Sequence, residues 1–279
     1  MDKASLVISC PDKVGIVRAV TDFLFRHGAN ITYLEQHIED EQFFMRIEWQ
    51  VLDYDVSDES TFMQIFESVR QEFDMEIKTD FCVEKKRLAL FCSKELHCIV
   101  DVLGRIETRE LEVEVPCIIS NYRDAHSIAE KFSVPFYYLP AKNDYEYQQL
   151  ALMREHRVDL IGLARYMKIL SSEFISDIGS NRIINVHHSF LPSFVGANPY
   201  EEAYQRGVKL IGATAHFVIP ELDQGPIIEQ NVKRISHSYD VPNLKLLGRE
   251  IEREVFFFAI RKFCENKLVK YRNRVIVFE

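Results

Sequence analysis

The chain has 279 residues, 47% hydrophobic and 28% charged, with a formal net charge of -9. That is ordinary for a soluble globular protein of one large domain or two smaller ones, and the acidic balance argues against a nucleic-acid surface, which needs basic patches. No apolar run approaches the roughly 18 residues that span a membrane, and the start MDKASLVISCPDK lacks a signal peptide's basic opening and long apolar stretch, so a cytoplasmic protein is expected.

Ala4 to Ser9 reads as a first strand, Pro11 to Gly15 as a turn, and Ile16 to His27 as an amphipathic helix with Ile16, Val17, Val20, Phe23 and Leu24 on one face. Ile31 to Ile38 and Phe43 to Leu52 are expected strands. In the second, Phe44, Arg46, Glu48 and Gln50 share one face. Ser57 and Asp58 open a second helix over Thr61 to Phe73, and Met75 to Val83 is a fourth strand. Strand-helix-strand-strand-helix-strand is the ferredoxin-like order, an α+β arrangement. The charged stretch Glu84-Lys85-Lys86-Arg87 has no apolar pattern and marks a boundary, giving domains of 1–84 and 85–279.

Beyond it the pattern changes to α/β. Leu88 to Cys92 is continuously apolar, as in a strand buried on both faces. Glu95 to Ile106 reads as helix, Val115 to Ser120 as strand, Asp124 to Phe132 as helix and Pro135 to Tyr138 as strand. Tyr145 to His156 is helical and Asp159 to Leu163 another strand; Pro242 to Cys264 is a long helix and Val275 to Val277 a closing strand. Alternating strands and helices predict a Rossmann-like, mostly parallel sheet covered on both sides. Ligands in such sheets bind beyond the carboxyl ends of the strands. The segment Arg165 to Leu170 follows such an end; as a plain helix start it would put Met167, Ile169 and Leu170 in the core.

The densest chemistry lies between Asn185 and Pro226. Arg182-Ile183-Ile184 runs as a strand into Asn185-Val186-His187, so Asn185 and His187 point the same way. A second strand, Leu210 to Ile219, carries Thr214 and His216 two apart and leads into Glu221-Leu222-Asp223-Gln224-Gly225-Pro226. An amide can bond an oxyanion, an imidazole can move a proton, and a carboxylate can orient the imidazole. Spacing alone leaves open whether they converge. The plain alternative is an Asn185 that caps a turn and a satisfied, buried His187. The six cysteines form no Cys-x-x-Cys pair and no His-Glu-x-x-His run is present, so neither metal ligation nor a redox motif is indicated; buried thiols are expected.

The wording of these stretches resembles a known family. Asn185-Val-His187-His-Ser189-Phe-Leu-Pro192 resembles the Asn-x-His-x-Ser-x-Leu-Pro signature of folate-dependent formyltransferases, and Leu222-Asp223-Gln-Gly225-Pro226 resembles their Leu-Asp-x-Gly-Pro loop. The His187-His188 pair, the run Gly196-Ala197-x-Pro199-Tyr200 and Gly212-Ala-Thr-Ala-His216 look most like the formyltetrahydrofolate deformylases of that superfamily. Asp12-x-x-Gly15 before a helix resembles the ACT domain, a small module that often senses amino acids.

The resemblance implies an ACT-like domain followed by a formyltransferase-like catalytic domain that splits 10-formyltetrahydrofolate with water into tetrahydrofolate and formate, with no cofactor and no metal. It implies Asn185, His187 and Asp223 as the catalytic set. Folate contacts would come from Met167, Lys168, Ile169, Leu170, Thr214, His216 and Leu222. An amino-acid effector would sit near Asp12 and Gly15, and a homo-oligomer, tetramer or dimer, is expected. His188 stands where the transferase signature has proline; by alternation it faces away from Asn185 as a structural hydrogen bonder. Two other readings stay open: a transferase passing the formyl group to an amine, and a non-catalytic amino-acid sensor. The transferases acting on a phosphoribosyl amine carry a glycine-rich turn after the first catalytic-domain strand. Here Cys92 to Cys98 has no glycine, and Glu95 puts a carboxylate where a phosphate would sit. An acceptor of transfer-RNA size would call for a further basic domain.

Overall fold

A computed structural model describes residues 3–50, 58–81, 84–142, 144–192 and 199–279. The chain divides into two compact units, one of residues 1–84 with 265–267 and 278–279, the other of 85–264 with 268–277.

The first unit runs β1 (Lys3–Pro11), α1 (Ile16–Arg26), β2 (Asn30–Glu39), β3 (Gln42–Gln50), α2 (Glu59–Glu72) and β4 (Glu76–Asp80). Its antiparallel sheet has the order β2-β3-β1-β4. Alternation sends Leu6, Ile8, Phe43, Met45, Ile47 and Trp49 into a core shared with Val20, Leu24, Phe62 and Phe66. Helix α2 starts where Asp58 accepts a hydrogen bond from Thr61 N at 2.9 Å. Helix α1 starts at Gly15 with no side-chain cap, so Asp12 is not a capping residue.

The expected second domain loses its last pieces to this unit. Arg46, on the sheet face away from the helices and 2% exposed, donates from Nη2 to Glu265 O at 2.8 Å and from Nε to Asn266 O at 3.1 Å. Phe278 is fully buried, and Glu279 N donates to Glu35 at 2.9 Å. A buried cation needs acceptors; Glu48 Oε1, 2.6 Å from Arg46 Nη1, and the carbonyls of the C-terminal segment supply them.

The second unit continues β5 (Lys86–Cys92), α3 (His97–Glu107), β6 (Val113–Ser120), α4 (His126–Lys131), β7 (Phe136–Tyr138), α5 (Tyr145–Glu155) and β8 (Leu160–Ala164). It then runs α6 (Ser172–Ile178), β9 (Ile183–His187), α7 (Pro199–Arg206), β10 (Leu210–Phe217), β11 (Ile227–Arg234), α8 (Val241–Cys264), β12 (Leu268–Tyr271) and β13 (Arg274–Val277). The main sheet has the order β11-β10-β9-β8-β5-β6-β7. Strands β9 through β7 in that row are parallel, and β10 is antiparallel to both its neighbours. Strand order reverses between β5 and β8, so the loops after them flank the switch point.

Strand β5 begins at Lys86, inside the expected joint. Arg87 makes that possible: its N–H donates to Asp159 Oδ2 at 2.8 Å, and its guanidinium donates to His156 O at the end of α5 and to Glu114 in β6. Residues 165–170 form no helix, so the plain alternative of a helix start does not hold. Leu170 is buried, but Met167 is 52% and Ile169 67% exposed. Four cysteines are buried as expected, and Cys264 is half-buried. Burial pushes the Cys92 and Cys117 thiols up to about 12, away from thiolate chemistry. Cys82 lies outside the described residues, as do 51–57 and the Gly196-Ala197 pair.

Candidate active site

Strands β9 and β10 pair with Asn185 opposite His216 and His187 opposite Thr214. Directly opposed residues of an antiparallel pair share a face, so one register brings the amide and two imidazoles together. The carboxylate arrives from the turn after β10. That turn folds tightly because residue 225 is glycine: a Cβ there would lie 1.7 Å from Phe217 O. Asp223 itself sits at φ 55°, in the left-handed region.

His187 Nδ1 lies 3.3 Å from Asp223 Oδ2, close enough to keep a proton on Nδ1. Its Nε2 is buried and has no hydrogen-bond partner among the described residues, which leaves that lone pair for a reacting group. Burial alone would push the Asp223 carboxyl up, yet the His187 and His216 imidazoles outweigh it and hold it well below the usual carboxylate range. His216 Nδ1 donates to Phe217 O at 2.9 Å, so in the neutral ring Nε2 is an acceptor. Asn185 Nδ2 lies 3.2 Å from that Nε2. With that ring neutral, one amide N–H is directed at His216, and Asn185 itself lines the cleft. The amide is oriented by an imidazole, a link that residue spacing does not reveal.

These groups lie at the foot of a cleft of about 280 Å³. Met167, Ile169, Leu170, Val218, Ile219 and Leu222 give it apolar walls, with Lys168 and Arg165 also lining it. Exposed apolar side chains gathered in a concavity, with a few convergent polar groups, mark a small-molecule site. The 165–170 loop is pinned from below: Met167 N donates to Ser93 Oγ at 3.0 Å, and Ser93 Oγ donates to Asn121 Oδ1 at 2.8 Å. The Ser93 hydroxyl is thus committed to the loops and does not cap α3, which begins after Leu96 without a side-chain cap.

Of the residues expected to meet a folate, Met167, Lys168, Ile169, Leu170, His216 and Leu222 line the cleft. Thr214 is not among the lining residues. It is fully buried; its hydroxyl accepts from Leu191 N at 3.1 Å and donates to Ser189 O at 2.9 Å. The loop after β9 folds over it, so Thr214 anchors that loop. Arg165, Val218 and Ile219 line the cleft without having been singled out by pattern.

A formyltransferase-type fold with an amide, an imidazole and a buried carboxylate at the foot of an apolar cleft defines the class. Residues 86–260 match the family model for formyl transferases and residues 4–71 the model for the ACT domain. The formyltetrahydrofolate deformylase of Bacillus subtilis is 45% identical over 99% of this chain and 94% of its own length. The crystal structure of a formyltetrahydrofolate deformylase from Pseudomonas syringae superposes with a TM-score of 0.96 at 39% identity, covering 100% of this chain and 95% of that one. That of glycinamide ribonucleotide transformylase 1 from Symbiobacterium toebii covers 71% of this chain and 97% of its own, with a TM-score of 0.67 at 27% identity. The chain belongs to the formyltetrahydrofolate deformylase family.

Proposed function

We propose that the protein hydrolyses 10-formyltetrahydrofolate to tetrahydrofolate and formate, with Asn185, His187 and Asp223 as the catalytic set. The observation that carries the assignment is the convergence of these three groups at the foot of an apolar cleft. The pterin lies against Met167, Ile169 and Leu222. His187 Nε2 takes a proton from water as it attacks the formyl carbon, while Asp223 steadies the resulting imidazolium. The unshared Asn185 N–H donates to the oxyanion of the tetrahedral intermediate. Collapse breaks the C–N bond, and His187 returns the proton to the folate nitrogen. No metal or cofactor enters this route. Its place is in one-carbon and purine metabolism in the cytoplasm; among the described residues no helix is long and apolar enough to cross a membrane.

The deciding experiment mixes purified protein with 10-formyltetrahydrofolate, with and without glycinamide ribonucleotide. Formate is expected without any acceptor. Formylated nucleotide appearing faster than formate would instead establish a transferase. For the ACT unit we propose self-association, as a tetramer or dimer, with an amino acid held near Asp12 and Gly15. A stable monomer in light scattering refutes the first part, and no heat with a full amino-acid panel in calorimetry refutes the second.

A further inference from the structure

Hydrolysis of a formyl amide leaves a proton to dispose of. The water oxygen adds to the formyl carbon, the C–N bond breaks, the nitrogen takes one water proton, and the formic acid ionises at neutral pH. Each turnover therefore frees one proton beside buried His187, while the folate covers the apolar mouth of the cleft.

On the far side lies a second cavity of about 160 Å³. Arg165 and His188 line both it and the cleft. Its wall is a succession of titratable side chains that the hydrolytic steps do not use. The His188 ring is centred 5.1 Å from that of His187 and 6.0 Å from that of Tyr200. Tyr200 OH donates to Glu252 Oε1 at 2.6 Å. The other carboxylate oxygen is 2.9 Å from His97 Nε2. His97 Nδ1 is buried without a hydrogen-bond partner among the described residues and lies 3.8 Å from Glu95 Oε2, the oxygen that Arg249 Nη2 meets at 2.8 Å. Side-chain exposure rises along this path, from 2% at Glu252 to 11% at His97 and 41% at Glu95. Four separate elements build it, and residue 248 must be glycine for Tyr200 to seat: a Cβ there would be 2.0 Å from Tyr200 OH.

We propose that His188, Glu252 and His97 form a relay that carries the proton freed at His187 to the surface at Glu95. The proposal rests on the hydrolase reading above. The cavity between His188 and Glu252 is polar and roomy enough for bridging water, each molecule taking roughly 30 Å³. Glu252 joins the two sides of the path, with Oε1 held by Tyr200 OH and Oε2 beside His97 Nε2. Burial pushes its carboxyl up, but His97, Arg165 and Tyr200 outweigh that and hold it below its ordinary value. Burial and the Glu252 charge push the Tyr200 hydroxyl up, so Tyr200 stays a fixed donor. His97, Cys98 and Glu252 bring potential ligand atoms within 4.8 Å of one another, as a cation site would. A metal ion is disfavoured there, because the Arg165 guanidinium lies 3.5 Å from the same carboxylate and Tyr200 holds its other oxygen.

The test uses Glu252→Gln, which keeps the shape, and His97→Asn, which is closer to the surface; neither side chain lines the folate cleft. Steady-state formate release is measured in weak buffer and again with high imidazole, a small diffusible base. The expected result is a kcat lowered roughly tenfold or more in weak buffer, an unchanged KM for the formylated folate, and recovery with imidazole that the parent does not show. A merely structural defect would not be relieved by a diffusible base. A folded variant with the parent's kcat overturns the relay, and so does a loss that imidazole fails to relieve. If Glu252→Gln does not fold, His97→Asn alone decides. Absence of formate from the parent sinks the hydrolase reading itself; formate from the parent with unrescued variants sinks the relay alone.

Discussion

Asp223→Asn isolates the charge that the site depends on. The substitution keeps the volume and the turn, so Gly225 can still pack on Phe217 O. What it removes is the negative partner 3.3 Å from His187 Nδ1. A hydrogen bond to a charged group is worth about 1.5–3 kcal/mol, and each 1.36 kcal/mol is tenfold in rate, which alone gives roughly ten- to a hundredfold. The amide adds a second effect. If its N–H faces Nδ1, the ring is driven to the tautomer protonated on Nε2 and the base is lost, so the combined fall is expected at about a hundredfold or more. The assay is kcat by formate release at neutral pH, with folding checked by circular dichroism. The same variant should change acid stability. The parent's folded carboxyl titrates below the ordinary value, so ionised Asp223 adds stability above roughly pH 4 that is lost as pH falls further toward the folded value. The Asn variant lacks that titration, and its acid-unfolding profile should be flatter across the window. Near-parental turnover in a well-folded Asp223→Asn protein would refute the catalytic role.

Asn185→Ala should cost roughly a hundred- to a thousandfold in kcat by removing an oxyanion donor; a change confined to KM would show that the amide only binds folate. Thr214→Val should lower thermal stability by about 1–3 kcal/mol, because Leu191 N and Ser189 O lose their partner in the interior, while the folate KM stays near the parent's. A raised KM with an unchanged Tm would restore Thr214 to the binding site. Gly248→Ala should destabilise by roughly 1–3 kcal/mol, since the new methyl group displaces the Tyr200 ring; an unchanged Tm in calorimetry would show that the ring seats elsewhere.

What the sequence discloses and what it hides follows from the range of its signals. Period-two alternation places Asn185 and His187 on one face, and the paired register with β10 then adds His216 without further assumption. The same alternation puts Thr214 on that face, but a strand pattern gives the face and not what folds over it. Edge strand β11 escapes notice because Glu229, Lys233 and Arg234 break its apolar pattern. A plain helix start would make core residues of Met167 and Ile169; both are exposed instead, because the backbone leaves the helix region and the Ser93 hydroxyl holds it there. Deepest in this respect is the cluster around Glu252. Its members, His97, His188, Tyr200 and Glu252, stand up to 155 residues apart along the chain, and no local spacing ties a histidine after β5 to a glutamate in the middle of α8. Local patterns report which residues share an element, whereas a chain of buried titratable groups is a property of how four elements pack. A proton path of this kind becomes visible only when burial and distance are known together.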